Sequence, residues 1–316
     1  MSTEQSPAVS VITMTYNRRS LLPRAVKSVL SQTFRDFEYI VIDDASSDGT
    51  PDVVEPFDDP RLVYVRNETN LGMSNNRNKA IAMARGRYIA FLDDDDEWLD
   101  RKLEAQMEVF GTSPVSALGV VYTSVVNVWN DGDERVAWAQ HRGDVRGDLL
   151  REGYIIKGGL NSALIVRDAF DRVGPIDPSN PSRDDYDFFV RLSGSYGFDF
   201  VAKPMVRITK FGSDRATTND RYRILGLIRV LKRHRDIYLE TPASRYFADH
   251  MMIAKHLAWM GRPRMAWKMY RYALHTTRPP SLRWIHTRDL AVVPVQIFKT
   301  MIAGARYNAA RDASNS

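Results

Sequence analysis

The stretch Tyr88-Ile89-Ala90-Phe91-Leu92-Asp93-Asp94-Asp95-Asp96-Glu97-Trp98 joins five apolar or aromatic residues to four consecutive aspartates. An unbroken apolar run of this length reads as a buried central strand. Ligands of open α/β sheets bind just beyond the carboxyl ends of such strands, which is where these carboxylates fall. Two carboxylates about 4 Å apart repel by roughly 4 kcal/mol at an effective dielectric of about 20, so a packed cluster needs a cation or full solvation. A divalent metal is one reading. A solvated turn capping a helix that starts near Leu99 is the other.

Upstream, residues 8–15 (AVSVITMT) form a β-rich run, and Ser20 opens a helix with Leu22, Val26, Val29 and Leu30 at helical spacing. A second strand at 37–42 ends in Asp43-Asp44 and a string of turn residues. A third lies at 62–65, and Ser74 is the expected N-cap of a helix over 77–85 that stops at Gly86. Strands alternating with helices at this spacing predict an α/β fold, a mostly parallel sheet covered by helices. Downstream, the patterns predict a helix at 99–110, a strand at 118–128, a hairpin turn at Asp131-Gly132-Asp133 and a strand at 162–166. A short helix at 167–173, a helix opened by Asp184-Asp185 and two short strands at 198–201 and 205–208 follow. From 217 the pattern turns helical, with helices at 222–238, 244–260, 264–274 and 290–305. The pair around Gly261 resembles one tetratricopeptide-like hairpin with Ala266 and Ala273 at its close-packing positions, and 312–316 is expected to be disordered. The domains expected are 1–216 and a helical 217–316.

A chain of 316 residues can bury a full core, and with no cysteine it has no disulfide, thiolate metal site or cysteine nucleophile. The polar start and the lack of a long apolar run point to a cytoplasmic protein, soluble or peripheral to the membrane. The net charge of +5 is unevenly spread, the acidic clusters lying in the first two hundred residues and Arg and Lys dominating after Arg221. No glycine precedes Gly49, so the phosphate-cradling loops of dinucleotide and P-loop proteins are absent after the first strand. There is also no GxSxG elbow and no HExxH spacing. Carboxylates remain: Asp43-Asp44 and Asp93 to Asp96 end two strands of one sheet, and with Thr15-Tyr16-Asn17-Arg18 they would line a common crevice.

The series TYNR, IDDASSDGT, NLGMSNNRN, YIAFLDDDDEW and DDYDFFVRL, running in this order over about residues 9–217, resembles the family 2 nucleotide-sugar glycosyltransferases of the GT-A fold. That resemblance implies a Rossmann-like sheet and specific roles. Thr15 and Tyr16 would contact the base of the donor, Asp44 with Asp43 would accept from it, and Arg77, helped by Arg18, would lie near the diphosphate. Asp93 and Asp95 match the family's DxD, with Asp95 the ligand of Mn2+ or Mg2+ and Asp93 near the ribose and diphosphate. Asp94 lies at the motif's variable position in the donor-binding segment and is expected to be dispensable, with Asp96 as the common following acid. Asp184-Asp185 resembles the ED pair, Asp185 serving as the base of an inverting transfer. Lys157-Gly158-Gly159 resembles the loop on the acceptor side, to which Asp184 also belongs; an ordinary turn is the alternative there. Where many relatives carry a histidine after the ED helix, this chain has Lys210-Phe211-Gly212-Ser213, so metal binding would rest on Asp95, waters and the donor.

The C-terminal part interleaves Arg262, Arg264, Lys268, Arg271, Arg278, Arg283 and Arg288 with Trp259, Trp267, Tyr270, Tyr272 and Trp284. Such a segment suits an anionic membrane surface, or a helical layer with solvated arginines; no nucleic-acid motif accompanies it. The expected activity is transfer of a sugar from a nucleoside-diphosphate donor, UDP before GDP or dTDP, to a glycan or lipid-linked acceptor. The competing readings are a sugar-phosphate nucleotidyltransferase, which lacks its Gly-rich loop here, and an inactive binding or scaffold protein on the same fold.

Overall fold

The structure is a computed structural model that describes residues 6–210, 220–240 and 244–276. Strand β1 (Val9–Thr15), buried along its whole length, pairs in parallel with β2 (Phe37–Asp43) on one side and β4 (Tyr88–Phe91) on the other. β3 (Leu62–Arg66) adds in parallel beyond β2. Helices α1 (Leu22–Leu30), α2 (Thr50–Val54) and α3 (Met73–Met83) alternate with these strands. Parallel pairing puts the carboxyl ends of β1, β2 and β4 on one edge, with Thr15 level with Asp43.

Beyond β4 the sheet becomes mixed. β5 is Glu97–Trp98, α4 is Lys102–Thr112, and β6 (Leu118–Val128) turns through a hairpin into β7 (Glu134–Ala137). Then come α5 (Arg146–Glu152), the short 3-10 turn Gly159–Ser162, β8 (Leu164–Val166), α6 (Asp168–Val173), α7 (Asp184–Leu192) and β9 (Gly197–Thr209). Among the described residues the strand order is β3-β2-β1-β4-β8-β6-β9-β5, with β7 on β6. Strand β8 runs antiparallel to both β4 and β6, while β9 runs parallel to β6.

Side-chain alternation explains the two covered faces. Val9, Val11, Tyr39, Val41 and Ala90 share a core with Leu22, Val26 and Val29 of α1 and Leu103 of α4. On the opposite face Phe91 meets Phe170 of α6 with centroids 6.3 Å apart, and Phe170 stacks on Phe188 of α7 at 4.8 Å. Each such fully buried side chain contributes roughly 1.5–3 kcal/mol.

Four of the differences from the sequence patterns have a visible cause. Helix α3 starts at Met73 with Gly72 as its N-cap, because the Ser74 hydroxyl is turned to Asp184 instead of capping. The expected helix at 99–110 begins three residues later: Trp98 pairs with Val206 as β5, and the Leu99 N–H donates to Met205. The two short strands expected near 198–208 are one long β9. Its Pro204 sits where the register with β6 shifts, a place where a missing N–H costs little. The helix at 222–238 is two, α8 (Asp220–Arg233) and α9 (Arg235–Glu240).

Lys102, at the start of α4, is fully buried, with Nζ 2.7 Å from Gln106 Oε1 and 3.9 Å from the Trp98 ring centroid. Burial pushes its amine well below its ordinary value. The unfolded chain therefore binds the proton more readily, and stability should rise with pH up to the ordinary lysine range. Replacing Lys102 by Met should flatten that rise, as seen by denaturant unfolding at neutral and alkaline pH.

The chain divides into two units. The first holds the sheet with its helices. The second takes the short pieces Leu150–Gly153 and Asn180–Arg183 together with α8, α9, α10 (Ser244–Trp259) and α11 (Pro263–Thr276). The α10–α11 hairpin turns at Gly261 with φ +71° and buries Ala266 and Ala273 completely. The boundary expected at 216/217, the helix at 290–305 and the tail at 312–316 lie outside the described residues. Among the described residues no helix is long and apolar enough to cross a membrane.

Candidate active site

The four aspartates after β4 form a turn held at both ends by one side chain. Asn161, in the turn Gly159–Ser162, donates from its amide to Asp93 Oδ2 (2.9 Å) and Asp96 Oδ2 (2.6 Å). Its Oδ1 accepts from the Asp93 N–H at 3.0 Å, and its backbone carbonyl accepts from the Trp98 indole at 3.0 Å. Asp96 also accepts from the Thr209 N–H at 2.8 Å, so both its oxygens serve the framework. Arg24 and the Thr209 hydroxyl donate to the Asp95 carbonyl. These bonds fix the backbone at Asp95, whose Oδ2 lies 3.4 Å from Arg18.

Asp93, Asp95 and Asp96 each present an oxygen, all within 4.8 Å of one another. With both Asp96 oxygens engaged, Asp93 and Asp95 are the hard oxygen donors that fit Mg2+ or Mn2+, ions that complete their shells with water and phosphate oxygens. Burial, with Asp95 nearby, pushes the Asp93 carboxyl up despite Arg77. Asp94, expected to be dispensable, is 8% exposed and accepts from the Thr15 hydroxyl at 2.7 Å, tying β4 to β1. Burial pushes its carboxyl up to about 7, against the opposing pull of Thr15 and Arg18.

At the end of β2, Asp43 accepts from the Ser46 N–H (2.8 Å) and the Tyr64 hydroxyl (2.5 Å). Asp44 accepts from the Asn67 amide (2.8 Å) and from the N–H groups of Leu71 (2.8 Å) and Gly72 (2.9 Å). Burial opposes its charge, but these donors and the neighbouring Asn76 amide hold its carboxyl below the usual range. In this structure Asp44 thus anchors the loop leading into α3, a use the motif did not reveal. Tyr16 is half exposed beside it, and Asn17, at φ +52°, accepts from the Ser47 N–H at 2.8 Å. The loops after β1 and β2 are therefore one wall.

The other wall is α7. Arg77 of α3 is buried and joins the two acidic groups: its Nη1 lies 2.6 Å from Asp184 Oδ2 and its Nη2 3.6 Å from Asp93 Oδ1. Asp184 also accepts from the Ser74 hydroxyl at 3.1 Å. Arg77 is thus a bridge inside the crevice wall, where the motif placed it near the diphosphate. Asp185 accepts from the Tyr186 N–H at 2.7 Å. Burial, followed by repulsion from Asp184, pushes its carboxyl up to about 6.

The glycine pair has a structural reason of its own. Gly159 sits at φ +57°, and a Cβ there would lie 2.5 Å from Asp185 Oδ2; one on Gly158 would lie 2.8 Å from Val125. In the loop that resembles the acceptor side, the space a Cβ on Gly159 would take is the seat of the Asp185 carboxylate. Gly159→Ala should displace that carboxylate and lower kcat about tenfold or more with KM little changed. Steady-state kinetics on the folded variant would check it.

Residues 10–174, more than half of the chain, match the family model described as Glycosyl transferase family 2. The chain belongs to this family. Among curated relatives of this family 2 chain is TuaG of Bacillus subtilis, a glycosyltransferase assigned to teichuronic acid biosynthesis. It is 46% identical over 108 residues, 34% of this chain and 43% of TuaG. WfaP of Escherichia coli, a UDP-Glc:alpha-D-GlcNAc-diphosphoundecaprenol beta-1,3-glucosyltransferase, is 39% identical over 107 residues, 34% of this chain and 43% of WfaP. The matched segment spans less than half the length of either relative. Among solved structures, S. aureus TarS 1-349 in complex with UDP-GlcNAc superposes with a TM-score of 0.59 over 85% of this chain and 91% of that one. At 17% identity this likeness shows the GT-A fold alone.

The motifs mark the acidic residues of the crevice but carry no sign of the residues that hold them. Asn161, Asn67, Thr209 and Arg24 act through amide, hydroxyl and guanidinium contacts made across the fold. Only Asn161, two residues after the glycine pair, lies next to a feature that could have drawn attention to it.

Proposed function

We propose that this family 2 chain is an inverting, divalent-metal-dependent transferase. It moves a hexosyl unit from a UDP-sugar to a hydroxyl of a glycan or lipid-linked acceptor at the cytoplasmic face of a membrane, in polysaccharide synthesis. The observation that carries this reading is Asp185: a half-buried carboxyl, raised to about 6, joined through Asp184 and Arg77 to the Asp93–Asp96 turn. A base with that affinity is ionised at neutral pH and still basic enough to take a proton from an attacking hydroxyl.

Inversion needs the acceptor oxygen and the departing diphosphate on opposite faces of the anomeric carbon. Asp185 would take the proton from the acceptor side. The donor would lie along the wall of Thr15, Tyr16, Arg18, Asp43 and Asp44, with the exposed Tyr16 ring free to stack on a base. Asp95, with Asp93 and Asp96 beside it, would hold Mn2+ or Mg2+. When bound, the ion supplies Lewis-acid charge to the leaving diphosphate. UDP-Glc in the name of WfaP and the UDP-GlcNAc bound to TarS favour UDP, while the mannosyltransferase PcManGT of Pyrobaculum calidifontis, a neighbour at TM-score 0.51, holds GDP-Man with Mn2+. WfaP's diphosphoundecaprenol substrate favours a lipid-linked acceptor.

The test is thermal shift and transfer with UDP-sugars and Mn2+. Stabilisation and turnover should both disappear on adding EDTA and in Asp95→Asn, and return with excess Mn2+ in the wild type only. Donor binding or turnover unaffected by EDTA would overturn the metal assignment.

A further inference from the structure

The helical unit holds a cavity of about 410 Å3 between α8, α10 and α11. Its walls are apolar, built by Leu231 of α8, Ile253 and Leu257 of α10 and Met269 of α11. The charged residues lining it carry one sign. Lys232 and Arg235 come from the α8–α9 junction and Lys268 from α11, and no carboxylate among the described residues lines it. Lys232 and Lys268 are exposed and no described carboxylate pairs with either, while Arg235 Nη1 lies 3.3 Å from Oδ1 of the exposed Asp236. A polar end is built beside Arg235: its Nε lies 3.5 Å from the Tyr272 hydroxyl, which lies 3.4 Å from the Tyr246 hydroxyl.

The volume falls in the range of small-molecule sites, roughly 300–1,000 Å3. Apolar walls give a free inorganic anion nothing, and three cations give a neutral hydrocarbon nothing. Only a molecule with both parts uses both features. The α10–α11 hairpin adds an independent observation. It exposes Trp259 (56%), Met265 (52%) and Trp267 (45%), with Lys255 Nζ 4.9 Å from the Trp259 ring centroid. Exposed indoles among cations are the signature of contact with a bilayer interface.

We propose that this cavity binds a phosphate-headed lipid. The hydrocarbon chain lies between α8, α10 and α11, and the phosphate sits at the rim between Lys232, Arg235 and Lys268. The site is separate from the sugar-transfer crevice, and its test contains no nucleotide, so failure of one reading leaves the other standing.

The full chain would be titrated with soluble short-chain phosphatidic acid, with phosphatidylcholine of the same chain length and with inorganic phosphate, by calorimetry and thermal shift. Phosphatidic acid should bind saturably and raise Tm, phosphatidylcholine should bind far more weakly, and inorganic phosphate should show no comparable effect. Lys232→Glu combined with Lys268→Glu, both on exposed side chains, should weaken phosphatidic acid about tenfold or more, since each lysine near an anionic lipid is worth about fivefold. Met269→Trp, which fills the chamber, should block binding while circular dichroism stays that of the wild type.

Equal binding of both lipids would overturn the proposal, as would inorganic phosphate matching phosphatidic acid or indifference to both variants. Tighter binding after deletion of residues 277–316 would overturn it too, because it would assign the cavity to the chain's own C-terminal segment.

Discussion

Asp185→Asn is expected to lower transfer turnover by about 100- to 10,000-fold while donor binding, read by UDP thermal shift, stays at the wild-type level. The amide keeps the size of the carboxyl and can still accept from the Tyr186 N–H, so the crevice should hold its shape. What it loses is the basicity. In the wild type the carboxyl is raised to about 6 by burial and by Asp184, so the active, ionised form is lost as pH falls through that value. The kcat profile of the wild type should therefore rise to a plateau above about pH 6, and the residual activity of the variant should lack that limb. The same shift has an opposite consequence for stability. A carboxyl whose folded value lies above its unfolded one binds more protons when folded, so stability falls as pH rises from about 3.8 through about 6. Asp185→Asn should thus be inactive yet more stable than wild type at neutral pH, the usual mark of a group kept at some cost to the fold. A variant that retained turnover would remove Asp185 from the chemistry.

The parallel half of the sheet was legible because its strands carry their own signal. β1, β2 and β4 are β-rich, mostly apolar runs buried to the last residue, and polar residues that make the crevice lie at or just after the end of each. The acidic positions were legible for the same reason. Beyond β4 the local pattern weakened wherever a tertiary contact decided the outcome. Leu99 follows a helical periodicity, yet β5 forms because β9 lies alongside to pair with Glu97 and Trp98. Pro204 reads as a break but falls on a bulge. The roles inside the crevice were hidden in the same way. Asp96 and Asp44 belong to the same acidic loops as Asp95 and Asp43, but only the fold places Asn161 and Thr209 against the first and the Leu71 and Gly72 N–H groups against the second. Aspartates with different partners are identical in sequence, Asp43 included, whose fully buried carboxylate accepts from the Ser46 N–H and the Tyr64 hydroxyl. Their difference lies in residues tens of positions away.

Arg77→Met is expected to cost roughly 3–5 kcal/mol of stability at neutral pH, a fall in Tm on the order of 10 °C. The side chain is 7% exposed, and its Nε finds no partner, so the guanidinium has given up water and is held by Asp184 and Asp93 alone. Burial works against its charge, but Asp184, Asp93 and Asp185 overcome that and raise its affinity for the proton. Methionine fills much of the volume and leaves three carboxylates facing one another with no cation between them. They can relieve the repulsion only by binding protons, which raises their folded values above the unfolded ones. The penalty should therefore be largest at neutral pH and shrink as pH falls toward the ordinary aspartate range, so the unfolding curves of variant and wild type converge in acid. Asp184→Asn in the Arg77→Met background should recover part of the loss, and the double-mutant cycle should show a coupling of about 1–3 kcal/mol. A variant as stable as wild type across this pH range would mean that the crevice carboxylates are neutralised by something other than Arg77. The Asp185 base would then take its raised proton affinity from burial alone.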